Sequence, residues 1–395
     1  MSETMVVKVL TGNYAVAEAV RLSNVDLITA YPITPQTTIV ERLSEYVDLG
    51  VIKSRFIRVE SEFSALAVAY GAALCNARVF TATSSHGLLY MHEMLWWVAG
   101  SRIPIVMAVV TRSIGPPWNI WDEHSDFMDH RDCGWLMAFA EDNQEVLDTT
   151  IQLFRITEDE RVYLPGMLGL DGFLLSHTSE PVDVPEEHIV KSFLKPRSQP
   201  YSMCGVELLT LGNLPKAEDH MMMKYDIQVS MENAKKVIKE VDLEYSKLTG
   251  RGYGGLIECY RCSDSKYLVV GMGGWVGTMK DVCDDLRDLG YKVGVLKVRF
   301  FRPFPEEDII EVLRGVKGVL VFDRSVSYGS LGHIHTEILA RSYRLGSRPV
   351  IKGIIAGLAG VDVGVREFMN SIVGFVNEVE ERGYVGNYSE WLLPG

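Results

Sequence analysis

Short apolar runs alternate with longer stretches of helical period along most of this chain. Apolar runs at residues 26–30, 55–59, 78–82 and 103–110 predict strands, and the segments 14–24, 36–47, 61–74 and 87–100 predict helices. Short apolar strands separated by helices belong to a parallel sheet covered on both faces. Segments 136–140, 143–155 and 162–170 continue the alternation. Residues 181–200 turn polar and proline-bearing without a period. Residues 215–249 then read as a charged helical stretch whose Met221-Met-Met223 run is expected to serve helix packing. A second alternation follows, with strands at 267–270, 291–298, 318–322 and 350–355 and helices at 275–289, 305–314, 330–344 and 365–380. The expected organisation is α/β with two parallel-sheet domains: residues 1–255, carrying a helical and linker segment at 181–250, and residues 256–395.

Composition narrows the class of partner. At 47% hydrophobic and 23% charged residues, the chain has an ordinary globular composition. A formal charge of −13 with no offsetting basic stretch argues against a nucleic-acid or anionic-membrane surface. It leaves room for an anionic substrate, which needs only one local positive group. The most apolar region, 88–110, is interrupted by His92, Glu93 and Arg102, so no membrane span is predicted. Met1-Ser-Glu-Thr lacks the basic start of a signal peptide, and a cytoplasmic protein with reduced thiols is expected. Cys259-Tyr-Arg-Cys262 is the one local cysteine pair, and without a second pair it reads as two unrelated cysteines near a strand.

Candidate chemistry gathers at strand ends. The strand 26–30 runs into Tyr31-Pro-Ile-Thr-Pro-Gln-Thr37, a turn expected to line a pocket because ligands in parallel sheets collect there. Thr34 is placed to cap a helix whose first residue is Pro35. Arg112 follows the strand 103–110 and enters Gly115-Pro-Pro-Trp-Asn119, where a guanidinium suits bidentate grip of a carboxylate. Glu62 opens a predicted helix, where the dipole alone would favour an acid, and Glu60 competes with it. Gly271-Met-Gly-Gly-Trp-Val-Gly277 has the look of a dinucleotide turn. The second strand, however, ends Leu296-Lys-Val-Arg299 without an acid for a ribose, so the turn reads as structural. Asp122-Glu-His-Ser-Asp-Phe-Met-Asp-His-Arg-Asp132 is rich in metal-ligand types but matches no standard loop, and no metal is assigned to it.

Taken together, Tyr31 to Pro35, Glu60-Ser-Glu-Phe-Ser-Ala65, Thr83-Ser-Ser-His-Gly-Leu88, Arg112, His124-Ser-Asp126, Glu141-Asp-Asn-Gln144, Leu170-Asp-Gly-Phe173 and Arg302-Pro-Phe-Pro305 resemble the α chain of the 2-oxoacid:ferredoxin oxidoreductases. The resemblance implies a thiamine-diphosphate pyrimidine-type domain followed by a transketolase C-terminal-like domain. It implies that Glu62 lies against the aminopyrimidine, that Tyr31, Pro32 and Ile33 approach the cofactor, and that Thr34 and Arg112 meet the substrate. At N1′ of the pyrimidine, a carboxyl group promotes the imino tautomer whose nitrogen takes the thiazolium proton. Leu170-Asp-Gly172 only echoes the usual diphosphate motif and has no asparagine behind it, so the chain resembles half an active site. The family's β chain would supply the diphosphate and Mg²⁺ half together with a [4Fe-4S] cluster. A γ chain and a ferredoxin-like chain or domain would complete the complex, with ferredoxin as electron acceptor.

The loop Thr111-Arg-Ser-Ile-Gly-Pro-Pro-Trp-Asn-Ile-Trp121 differs from the pyruvate-type pattern, with Trp118 in place of an aliphatic residue. Trp118 and Asn119 are therefore expected to shape the substrate pocket, and the wording resembles the branch that oxidises oxalate to two CO₂. Pyruvate oxidation to acetyl-CoA is the alternative. A non-catalytic scaffold subunit is a further one, opposed by the joint presence of Thr34, Glu62 and Arg112.

Overall fold

The computed structural model describes residues 6–205 and 209–394. A seven-stranded sheet organises the first part. Across it lie Phe300–Arg302, Leu136–Phe139, Gly166–Asp171, Val106–Thr111, Val79–Thr83, Leu27–Ala30 and Arg55–Arg58. All neighbours run parallel except Phe300–Arg302, which returns from beyond residue 256 to pair antiparallel with Leu136–Phe139. The central strand Val106–Thr111 is buried along its whole length, as a strand covered on both faces must be. One face packs on helices Gly12–Leu22 and Asn143–Thr157 and on the C-terminal half of Ala217–Thr249. The other packs on Glu62–Leu74, Ser85–Tyr90 and His92–Gly100, and its core runs on into Leu268, Leu296 and Phe301 of the second unit.

The second sheet has six strands in the order Ser389–Trp391, Val350–Ile355, Gly318–Asp323, Tyr267–Gly271, Val293–Val298 and Ile257–Tyr260, the last antiparallel. Helices Trp275–Asp288 and Val365–Arg382 close its outer face. The α/β class with two largely parallel sheets thus matches the expectation from periodicity. Val6–Thr11, by contrast, pairs antiparallel with Ser179–Val184 in a ribbon the pattern did not reveal, because Glu180, Pro181 and Asp183 hide its alternation.

Several local expectations are overturned. The predicted helix at 87–100 is two helices meeting at Met91. Met221, Met222 and Met223 lie exposed on the first turns of Ala217–Thr249 instead of packing. Cys75 and Cys204 form a disulfide across a separation of 129 residues, where free thiols were expected. The linker folds over the end of Glu62–Leu74, with Met203 N–H bonded to Leu74 O at 2.9 Å, and this brings the two cysteines together. No described helix is long and apolar enough to cross a membrane.

Buried ion pairs join the two units. Lys297 and Arg299, on and just after one strand of the second sheet, reach Glu145 in helix Asn143–Thr157 at 3.0 and 2.9 Å. Arg299 also donates to Thr149 Oγ1 and Gln152 Oε1, both at 2.8 Å. Burial opposes the ionised form of Glu145, but these two cations more than offset it and hold its carboxyl below the usual range. Lys297 and Arg299 therefore stand where a nucleotide fold would carry its ribose acid, and they serve the domain interface.

Candidate active site

The turn after Leu27–Ala30 does not begin a helix at Pro35. The helix runs Thr37–Asp48 with Gln36 as its cap, so the expectation that Thr34 caps it is not met. Instead Gln36 bends back and donates to Tyr31 O at 2.8 Å, and Asn13 donates to Pro35 O at 2.8 Å. Those bonds hold the turn from beneath and leave Tyr31, Pro32 and Thr34 exposed on its rim, with Ile33 half-buried. Gly172 packs under Pro35, where a Cβ would stand 2.2 Å from Thr111 O.

Arg112 extends from the end of Val106–Thr111 towards this turn, and its Nη1 donates to Thr34 O at 2.7 Å. It is 6% exposed, and its Nε has no hydrogen-bond partner. Burial pushes its pKa down, partly offset by the charges of Asp126 and Glu62. The guanidinium also lies over the Trp118 ring, 5.3 Å from its centroid. Asp126 positions the backbone here: its Oδ2 accepts from Arg112 N at 3.1 Å and Ser85 N at 2.7 Å, and its Oδ1 from Phe127 N at 2.7 Å. Burial nevertheless raises the Asp126 carboxyl to about 7.

Glu62 is the first residue of helix Glu62–Leu74, whose Ser61 cap accepts from Ser64 N. It is 7% exposed, and its carboxylate accepts no hydrogen bond from the described residues. Gly87 faces it so closely that a Cβ there would stand 2.7 Å from Glu62 Oε1 and 2.6 Å from Thr83 Oγ1. Thr83 Oγ1 and Ser84 Oγ are themselves buried without partners. Glu60, by contrast, is exposed and bonded to Ser61 and Ser64 on its own turn. An almost buried carboxylate and hydroxyls left open at strand ends fit a ligand carrying a ring nitrogen and an amino group. The donor set suits an aminopyrimidine.

The loop beyond Arg112 is held stiffly. His86 Nε2 meets Gly115 O at 3.0 Å, and its ring stands edge-on to Trp118. Trp118 is 56% exposed. The Asn119 amide bonds Ser113, Trp121 N and, through Nδ2 at 3.0 Å, Ala359 O of the second unit.

Beside the site, Asp122 and His124 of the ligand-rich stretch 122–132 converge with Asp171. They surround Arg324, which pairs with Asp122 at 2.6 Å and Asp171 at 3.1 Å. His124 Nε2 meets Asp171 Oδ1 at 2.8 Å, and Asp171 Oδ2 accepts from Gly274 N at 2.5 Å. Gly273 takes φ +88°, and a Cβ there would stand 2.8 Å from Asp171 Oδ2. The glycine turn therefore binds a carboxylate of its own chain rather than a nucleotide phosphate. Both oxygens of Asp171 are engaged within the chain. Asp126, Ser85, Gln36 and Gly87 are the positioning residues that the sequence did not single out for chemistry. For Asp126, Ser85 and Gly87 the one available signal was their place in the family landmarks, and Gln36 follows directly after one.

The first α/β unit thus presents an unpartnered carboxylate at a helix start and a guanidinium at a strand end beside one another. Residues 18–243 match the family described as pyruvate flavodoxin/ferredoxin oxidoreductase, thiamine diphosphate-binding, and residues 265–368 match pyruvate:ferredoxin oxidoreductase core domain II. The chain belongs to this 2-oxoacid:ferredoxin oxidoreductase family. It is 43% identical over 385 residues to ketoisovalerate oxidoreductase subunit VorA of Pyrococcus horikoshii, covering 97% of each chain. It is 44% identical over 360 residues to pyruvate synthase subunit PorA of Methanothermobacter thermautotrophicus, covering 91% of this chain and 92% of that one. It shares its fold, at TM-score 0.72 and 19% identity, with 2-oxoglutarate:ferredoxin oxidoreductase from Magnetococcus marinus. That alignment covers 93% of this chain and 65% of the other.

Proposed function

We propose that this chain is the α subunit of a thiamine-diphosphate-dependent 2-oxoacid:ferredoxin oxidoreductase, acting on a small monocarboxylic 2-oxoacid of the pyruvate or ketoisovalerate type. The observation that carries the reading is Glu62, a nearly buried carboxylate without a hydrogen-bond partner among the described residues, with the Arg112 guanidinium close enough to feel its charge. Thiamine diphosphate, when bound, supplies the carbon nucleophile and electron sink for the 2-oxo group. Glu62 would share a proton with the pyrimidine N1′. Arg112, already turned by Thr34 O and backed by Trp118, would orient the substrate carboxylate. Thr34, Tyr31, Pro32 and Ile33 would form the wall towards cofactor and substrate, and Asn119 would hold the loop against the second unit so that Trp118 keeps its place.

The exposed rim and the full engagement of Asp171 favour a partner β chain that brings the diphosphate and Mg²⁺ half and a [4Fe-4S] cluster. A γ chain and a ferredoxin-like chain or domain would then carry electrons to ferredoxin. Oxalate rests on the wording of the loop 111–121, with Gly115, Pro116 and Trp118, whereas relatives named for pyruvate and ketoisovalerate favour a substrate with an apolar arm. The assembled complex should be assayed on pyruvate, ketoisovalerate and oxalate, with and without coenzyme A, following ferredoxin reduction. Turnover of pyruvate or ketoisovalerate that requires coenzyme A supports the proposal; turnover of oxalate alone restores the oxalate reading. A complex inactive on every 2-oxoacid would leave a scaffold role.

A further inference from the structure

Two residues of the stretch 122–132, together with His92, form a second group of ligand-type side chains that the ion pairs around Arg324 do not use. His130 is fully buried, and its Nδ1 lies 2.7 Å from the carbonyl oxygen of Asp126. A carbonyl only accepts, so Nδ1 carries the proton and Nε2 carries the bare lone pair. That Nε2 is buried and has no hydrogen-bond partner. Beside His130 stand Asp129 and His92, and one ligand atom from each of the three residues lies within 4.8 Å of the others. The two imidazole rings are 5.2 Å apart. An imidazole that gives its Nδ1 proton to a backbone carbonyl and presents a bare Nε2 is the usual form of a metal-ligating histidine.

We propose that His92, Asp129 and His130 form a binding site for one divalent transition-metal ion of the zinc type. Two nitrogens and one carboxylate oxygen suit zinc better than magnesium or calcium, which want six or more oxygens. With metal–ligand bonds of about 2.0–2.1 Å in a tetrahedron, the ligand atoms must close to about 3.3 Å apart. That movement falls on His92 and Asp129, which are exposed, while His130 stays fixed. His92 gives up only the hydrogen bond from the Trp96 indole to its Nε2, a contact at the surface. Water fills the fourth position. The ion ties the start of helix His92–Gly100 to the segment whose Asp126 holds the Arg112 backbone.

The test uses the purified complex, because its expected iron and magnesium are counted separately from zinc. After chelator washing and exchange into zinc chloride, mass-spectrometric metal analysis should find about one zinc per copy of this chain in the wild type. His92→Ala and Asp129→Asn, both surface changes, should lose that zinc, and His130→Gln should do the same if it folds. Titration with cobalt(II) chloride should give an intense visible band of a four-coordinate site, with affinity falling about tenfold or more in each variant. A chelator should lower the thermal midpoint of the wild type and leave that of His92→Ala unmoved. Equal zinc content and equal cobalt spectra in wild type and His92→Ala would overturn the proposal.

Discussion

The domain interface and the open shelf at the strand ends are made from the same kinds of residue, and they differ in how completely those residues are satisfied. At the interface buried charges are paired within the chain, Glu145 with Lys297 and Arg299 and Asp171 with Arg324, and His124 adds a hydrogen bond to Asp171. On the shelf, Glu62 has no hydrogen-bond partner among the described residues, and Arg112 Nε, Thr83 Oγ1 and Ser84 Oγ are buried without one. A buried polar group left open costs free energy, so its persistence points to a ligand, while a closed network points to architecture. The Asp122–His124–Asp171 group around Arg324 and the glycine turn at 271–277 are closed in this way, and they read as architectural.

The sharpest way to break this distinction is Glu62→Gln. The amide keeps size and packing but cannot share a proton as a carboxyl does, so turnover of the complex should fall by about 10²–10⁴, the range of a general acid–base group. Assembly, followed by gel filtration, should be unchanged. Activity within a few-fold of wild type would mean that the open carboxylate has no catalytic part.

On the other side of the comparison, Arg299→Ala should cost stability. It leaves Glu145 with Lys297 alone and takes the donor from Thr149 Oγ1 and Gln152 Oε1, and breaking one partner of a buried pair costs about 3–5 kcal/mol. Thermal unfolding of the complex should show it, and Glu145→Gln in the same chain should recover part. Arg112→Ala should leave the unfolding midpoint nearly unmoved while lowering kcat/KM by the equivalent of about 2–5 kcal/mol, with Arg112→Lys recovering only part of the loss. A large stability loss with unchanged kcat/KM would move Arg112 to the architectural group.

Asp126 lies between the two groups, because its partners are all backbone N–H groups. Its native pKa of about 7 stands above the ordinary 3.8, so the folded chain holds a proton that the unfolded chain has lost. Its contribution to stability is full below about pH 4 and is lost as pH rises through about 7. Asp323, also raised to about 7, and Asp142, raised to about 6, act in the same direction. Asp126→Asn should therefore flatten, without abolishing, the fall in stability between pH 5 and 7 in urea titrations. Identical slopes for variant and wild type would remove Asp126 from this account.

How much of this was legible in the sequence follows from the range of each interaction. Strands such as Val106–Thr111 and Gly318–Asp323 are apolar on both faces, so periodicity alone located them. The pair Val6–Thr11 and Ser179–Val184 is half-polar and joined across the chain, so no local pattern marks it. Glu62 and Arg112 were visible because each sits at an element end and in a family motif. The cap at Thr34 was misjudged because Asn13 and Gln36 hold the turn from other directions, a tertiary effect that overrides local capping preference. Nothing in local composition distinguishes Asp126 from its acidic neighbours. Its role appears only when two strand ends bring Ser85 and Arg112 to one carboxylate.

Trp118 gives the smallest and most discriminating effect. Its ring backs the Arg112 guanidinium from an exposed position, where such a contact is worth about 0.5–1 kcal/mol, or a two- to five-fold change in kcat/KM. His86 and the proline turn hold the ring in place, so Trp118→Ile should free the guanidinium slightly and widen the shelf without disturbing Glu62. A monocarboxylic substrate loses a little orientation and gains room for its apolar arm, so bulkier 2-oxoacids should gain relative to pyruvate. Oxalate has no apolar arm to gain room for and depends on the guanidinium alone, so any oxalate turnover should fall by the full two- to five-fold. Paired kcat/KM values for ketoisovalerate, pyruvate and oxalate in the two enzymes give the answer. If all three change by one common factor, Trp118 serves the guanidinium and takes no part in choosing the substrate.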